Sequence, residues 1–402
     1  MYKYLIAFLC SALVGPGLLQ AQIRQLDTTS FVVVGEGLAA GMADFSLREL
    51  YQKNNFPALI ASQLKTAFPQ PLIQAPGIGD VAGFPQLPVM VPGIGQTTVR
   101  SLFPPTLFVF NLAVPGHRLN DAIHFRPTPP LVHADDPKQT ITNLLLGYPA
   151  MILEPTHPVW SQLEYAVAMN PTLVLVELGY TEALNAAAAG DPASMPDAAS
   201  FRADYETLLR GLTSNFAEVI ATTIPNPFDT AYFSTVAVAA ALTSNTADGL
   251  AGRYGLSSSD LLTPNALSAI GVQAASLPPG SVVSADVAAA IRTRVIALNA
   301  EITSASQREG AIVYDLNSLF ARVRAGGVVV GNRSLTANYL GGFYSLSGSY
   351  PGFTGHALIA NEILDLLNRT YGTSFPLVDA AKAAQSDPAV RYRPTAFGGE
   401  TE

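Results

Sequence analysis

Five short apolar runs limit what this chain can fold into: Phe31–Val34, Thr106–Leu112, Thr172–Leu178, Glu218–Ile224 and Ala311–Leu316. Each reads as a buried strand, and each is followed within a few residues by a Gly, Pro or Asn that breaks it. Helical patterns lie between them, at Leu47–Phe56 with Pro57–Phe68, at Ser200–Asn215 and at Val287–Glu309. Strands that alternate with helices predict an α/β fold, a three-layer α/β/α sandwich around a mainly parallel sheet. Sites in such sheets lie beyond the carboxyl ends of the strands. The residues just after each run are therefore the ones to read for chemistry.

The 402 residues are 49% hydrophobic and only 13% charged, interrupted by 30 prolines and 32 glycines. The N-terminus reads as a secretory signal peptide over 1–21. Lys3 supplies the positive charge, Tyr4–Val14 the apolar stretch, and Leu19-Gln20-Ala21 a cleavage site. The sole cysteine, Cys10, falls inside it, so the mature chain carries no disulfide or thiolate chemistry. After residue 21 no apolar run is long enough for a membrane-spanning helix. Export to a periplasm or the extracellular space follows. The formal net charge of −8 argues against nucleic acid and anionic membrane surfaces as partners. The mature chain reads as one domain over 22–378, with insertions near 69–105 and 228–283. The second insertion has helical patches at Ser234–Leu242 and Thr263–Gly271. A tail, 379–402, reads as poorly ordered. The five histidines show no metal-ligand spacing and no phosphate-binding loop is present, so neither metal nor cofactor is expected.

Four segments carry motifs. Gly35-Glu36-Gly37-Leu38 follows the first run, and Asn111-Leu112-Ala113-Val114-Pro115-Gly116 ends the second. Gly179-Tyr180-Thr181-Glu182 follows the third. Leu346-Ser347-Gly348-Ser349-Tyr350-Pro351 leads into Gly355-His356-Ala357. In this order they resemble the SGNH/GDSL hydrolases, whose motifs read Gly-Asp-Ser-Leu, a glycine oxyanion donor, Gly-x-Asn-Asp and Asp-Gly-x-His-Pro. The resemblance covers roughly Phe31 to Leu367, without the two insertions. It implies the same three-layer fold and an ester hydrolase ancestry. It places Gly37 at the nucleophile, Thr181 at the amide donor, Ser347 at the orienting acid and Tyr350 at the base. Of the catalytic groups only the backbone donor, Gly116, is kept.

An acyl-transfer serine needs an imidazole to take its proton and a carboxylate to hold that imidazole. Gly37 has no side chain, and a tyrosine with an unperturbed pKa of about 10 is a poor base at neutral pH. The resemblance thus implies a catalytically degenerate protein that retains a pocket for an ester, acyl or glycan ligand, with the missing side chain at Gly37 enlarging the pocket floor. Two alternatives stay open. One is an active esterase rebuilt on Glu36, His117 or Ser349. The other is a non-catalytic envelope protein that binds a partner through its insertions. Glu36 serves equally well as a base on water or as an acceptor for loop N–H groups beside a helix start. His117 reads as a rim histidine, Ser349 as a turn serine and His356 as a packing or capping residue of the last helix.

Overall fold

The computed structural model describes residues 25–75, 77–79, 108–148, 151 and 159–391. The expected leader, most of the 69–105 insertion and residues 392–402 lie outside them.

Four strands form the central sheet: β1 (Phe31–Gly35), β2 (Leu173–Glu177), β3 (Glu218–Thr222) and β4 (Ile312–Tyr314). All pair in parallel in the order β1-β2-β3-β4, with Phe31 opposite Leu173 and Gly35 opposite Glu177. β1 and β2 are buried along their whole length, as expected for strands covered on both faces. The segment 110–114 runs parallel along the free edge of β1. The Val33 N–H donates to the Phe110 carbonyl at 2.8 Å, and the Val33 carbonyl accepts from the Leu112 N–H at 2.8 Å. The chain therefore leaves β1 to one side and returns for β2 on the other. In open α/β sheets such a reversal marks the place of the binding crevice, which here is the carboxyl end of β1.

Nine helices position the site. They are α1 (Gly37–Ala40), α2 (Phe56–Leu64), α3 (Leu119–His124), α4 (Pro137–Thr142), α5 (Gln162–Ala168), α6 (Tyr180–Ala189), α7 (Ala198–Thr213), α8 (Ala285–Glu309) and α9 (Phe353–Tyr371). α2 packs with α9, while α7 packs with α8 and α5. The two groups form the outer layers of an α/β/α sandwich. In α8 the buried residues Ala288, Ile291, Val295, Leu298, Ile302 and Ala305 recur every three or four positions, which puts them on one face. Each large aliphatic there contributes about 1.5–3 kcal/mol of burial. Ser284 caps the start of α8 and Gly310, at φ 74°, ends it.

Elements differ from expectation where local capping outweighs periodicity. The pattern Leu47–Phe56 yields only one helical turn, Glu49–Gln52. Asn55 then accepts the Ala58 N–H at 2.9 Å and starts α2 afresh with Pro57 in its first turn. The 228–283 insertion folds around its own small core, which includes Val236, Leu250, Leu262 and Ile270. Its helices are Val236–Leu242, Ala247–Tyr254 and Pro264–Gly271, set against three short antiparallel strands. The segment after Asp379 is ordered as far as Arg391, contrary to the expected loose tail. It forms two short helices, Ala380–Ser386 and Pro388–Arg391, with Ala384 and Val390 buried. Asp387 explains this. Its carboxylate accepts the Thr354 N–H and hydroxyl, each at 2.8 Å. A first-turn N–H of α9 that the helix leaves unpaired is thus satisfied by the tail.

Candidate functional site

β1 ends at Gly35, and α1 begins two residues later at Gly37. A Cβ built on Gly37 would lie 2.5 Å from the Tyr350 hydroxyl oxygen and 2.9 Å from its Cζ. Real side chains do not approach so closely, so only glycine fits beneath this ring. The absent side chain does not enlarge a pocket floor, because the Tyr350 phenol occupies that volume. Tyr350 is itself buried, and its ring meets Tyr180 edge-on at 6.0 Å. Burial first, then the nearby Glu36, pushes its phenol well above the ordinary value, so it stays neutral.

The loop carrying Tyr350 is a tight hairpin. The Ser345 N–H donates to the Tyr350 carbonyl at 2.9 Å, and the Ser345 and Ser347 hydroxyls lie 3.1 Å apart. Asp44 clamps it from outside, accepting the Leu346 N–H at 3.0 Å and donating its own N–H to Ser345 Oγ at 3.0 Å. The Tyr180 hydroxyl donates to the Ser349 carbonyl at 2.8 Å. Ser347 and Ser349 are both buried within this hairpin.

Three glutamates converge around the same strand ends: Glu36 after β1, Glu177 closing β2 and Glu182 in the first turn of α6. All are buried. The Thr181 hydroxyl donates to Glu36 Oε2. Glu177 Oε2 accepts the Ala39 N–H at 3.1 Å, and Glu182 Oε1 accepts the Leu119 N–H at 2.8 Å. Glu36 Oε1 and Glu182 Oε2 have no partner among the described residues. Burial is the main cause that raises all three carboxyls, Glu177 to about 8 and Glu182 to about 7. Glu36 is raised further by Glu177 and Glu182 beside it. At neutral pH the cluster therefore holds protons.

His117 is fully engaged on the other side of β1. The Gly35 N–H donates to Gln162 Oε1 at 2.9 Å, and Gln162 Nε2 donates to His117 Nδ1 at 3.0 Å. That leaves the proton on Nε2, which faces Thr142 Oγ1 at 2.7 Å, while the Thr142 hydroxyl donates to the Lys138 carbonyl at 2.7 Å. Burial drives the imidazole down to about 3, so it stays neutral. His117 thus braces the turn and is not paired with Glu36. Gly116 sits beside it in that turn at φ 79°, a conformation that favours glycine. His356 lies elsewhere, stacked on Phe56 at 5.9 Å and accepting its N–H at 3.4 Å.

The fold thus brings together Glu36, Gly37, Thr181 and Tyr350, with the Ser347 and Ser349 hairpin around the ring. His117 and His356 stay apart. Sequence reading missed Glu177, Tyr180 and Gln162. An acid closing the apolar run Leu173–Glu177 was the available signal for the first. Gln162 had none, because its partners come from β1 and the 110–117 turn.

No group of three or more His, Cys, Asp or Glu among the described residues is arranged to hold a metal ion, the glutamate cluster included. No helix among them is long and apolar enough to cross a membrane. Compared with known proteins, the chain matches no family model and no curated protein.

Proposed function

We propose that this chain is an exported, non-hydrolytic relative of the SGNH/GDSL hydrolases in which Tyr350 stands where the family's nucleophile and base would work. One observation carries this reading. Gly37 and Tyr350, assigned to the nucleophile and the base by two separate motifs, are in contact, with the phenol against the nucleophile's place. A glycine beneath a neutral phenol has no nucleophile to offer and no base to activate one. The proposed substitutes do not replace them. Glu36 is buried and protonated, both His117 nitrogens are engaged, and Ser349 is buried in a hairpin. The role that remains is binding. A ligand of the ester, acyl or glycan class reaches these residues only when the Tyr350 hairpin opens.

The test is hydrolysis of short- and long-chain p-nitrophenyl esters by purified residues 22–402. Glu36→Gln, His117→Ala and Ser349→Ala are assayed beside it, with the fourfold variant Gly37→Ser, Thr181→Asn, Ser347→Asp, Tyr350→His. The wild type should show no turnover above its variants, and the fourfold variant weak turnover. One oxyanion donor alone is worth about 3 kcal/mol, so an imperfect rebuilt site will be slow. Wild-type turnover abolished by one of the single changes would establish a rebuilt active site instead.

A further inference from the structure

The three glutamates do more than fill the crevice. Each is tied to the start of a different helix. Glu177 holds the Ala39 N–H in α1, Glu182 holds the Leu119 N–H at the start of α3, and Glu36 takes the Thr181 hydroxyl of α6. α6 in turn grips the hairpin, through the Tyr180 hydroxyl on the Ser349 carbonyl and the Tyr180 ring against Tyr350. A continuous path of contacts therefore runs from the carboxyl cluster to the ring that closes the site.

We propose that this cluster is a proton-held latch: while Glu36, Glu177 and Glu182 are neutral they keep the Tyr350 hairpin shut, and losing a proton releases it. The inference stands on this geometry and holds whether or not the chain descends from hydrolases.

The groups packed around the cluster show why a charge would be unwelcome. α3 brings Arg118 and Asp121 toward Glu182, and Lys138 of α4 is taken by Asp121. α7 brings only Tyr205, α6 only Tyr180, and the hairpin only Tyr350, with Tyr344 behind Tyr180. The 110–117 turn brings His117, which is neutral. Among the described residues no cation faces Glu36 or Glu177 directly. A first negative charge here is poorly compensated, and a second sits beside a like charge in a buried site. The carboxylates find water only by turning outward. That breaks the hold on α1 and on the first turn of α6, and with it the grip on the hairpin.

The experiment is hydrogen exchange by mass spectrometry on wild type, Glu177→Gln and Glu36→Gln, from about pH 6 to about pH 9, corrected for the intrinsic rate. The amides of 37–41 and 343–352 should lose at least about tenfold more protection over this range than those of Ile220–Thr222, because one unit of pKa shift is a factor of ten. Each glutamine variant should lessen that loss. Parallel change in both hairpin and strand in the wild type would mean global unfolding and overturn the latch, whether or not the variants fold. So would folded variants that keep the wild-type pH dependence. Neither result depends on ester turnover, so the latch and the reading of function fail separately.

Discussion

Tyr350 and His117 occupy places where a sequence reader looks for catalysis, and their surroundings assign them other work. The contact between Tyr350 and Gly37 leaves no room for a side chain at position 37. Gly37 and Tyr350 therefore act as a pair, since a side chain at 37 is accommodated only if the ring at 350 is made smaller or moves. His117 has a donor on one nitrogen and an acceptor on the other, and so links Gly35 through Gln162 to Thr142. A buried ring with both nitrogens used is a brace. Glu36 was open between base and loop acceptor in the sequence. Its donor is the Thr181 hydroxyl, which only the fold brings to it.

Element by element, the outcome depended on whether the signal was local. The five apolar runs gave the four strands and the 110–114 segment, because long Val, Leu and Ile runs buried on both faces need no partner to be recognised. α7 and α8 were legible from period and breakers alone. The end of the chain was not, because its order depends on a distant helix start. Asp387→Ala should show this. Removing its carboxylate leaves the Thr354 N–H and hydroxyl unpaired and should lower stability by about 1–3 kcal/mol. Denaturant unfolding measures the loss, and proteolysis after residue 378 should become faster than in the wild type. A stability change below about 0.5 kcal/mol would mean the tail docks by other contacts. Likewise, the alternation of strands and helices was legible as a fold signal, but the packing of Tyr350 over Gly37 was not. Nothing local to Gly37 says that a tyrosine from the far end of the chain covers it.

For the whole molecule, buried titratable groups set a pH profile. Glu177 and Glu182 ionise near 8 and 7 when folded, against an ordinary 4.5, and burial also raises Glu36 well above that ordinary value. The stability they contribute is complete below about 4.5 and is lost as pH rises through their folded values. His117 and His356 are held down to about 3 from 6.5, so their contribution is complete above 6.5 and is lost as pH falls toward 3. Between 6.5 and 8 only the glutamates of these five groups act. Stability should therefore fall over that interval, by about 1 kcal/mol per pH unit for each proton the fold alone retains. Thermal unfolding at about pH 6 and about pH 8.5 checks the sign, and Tm should be higher at the lower pH. Glu36→Gln should flatten the profile. An unchanged or rising Tm toward the higher pH would mean that the cluster is already ionised in the folded protein.

The most direct test of the closed site is a double-mutant cycle on Gly37 and Tyr350, with stability read by denaturant unfolding. Gly37→Ser alone forces its side chain into the Tyr350 phenol and should cost about 1–3 kcal/mol, as overpacking does. In the Tyr350→His background, which removes the hydroxyl and shortens the ring, the same change should cost markedly less. The two changes should then be coupled by at least about 1 kcal/mol. Additive effects would mean that the two residues do not meet, and that Tyr350 does not fill the space over Gly37.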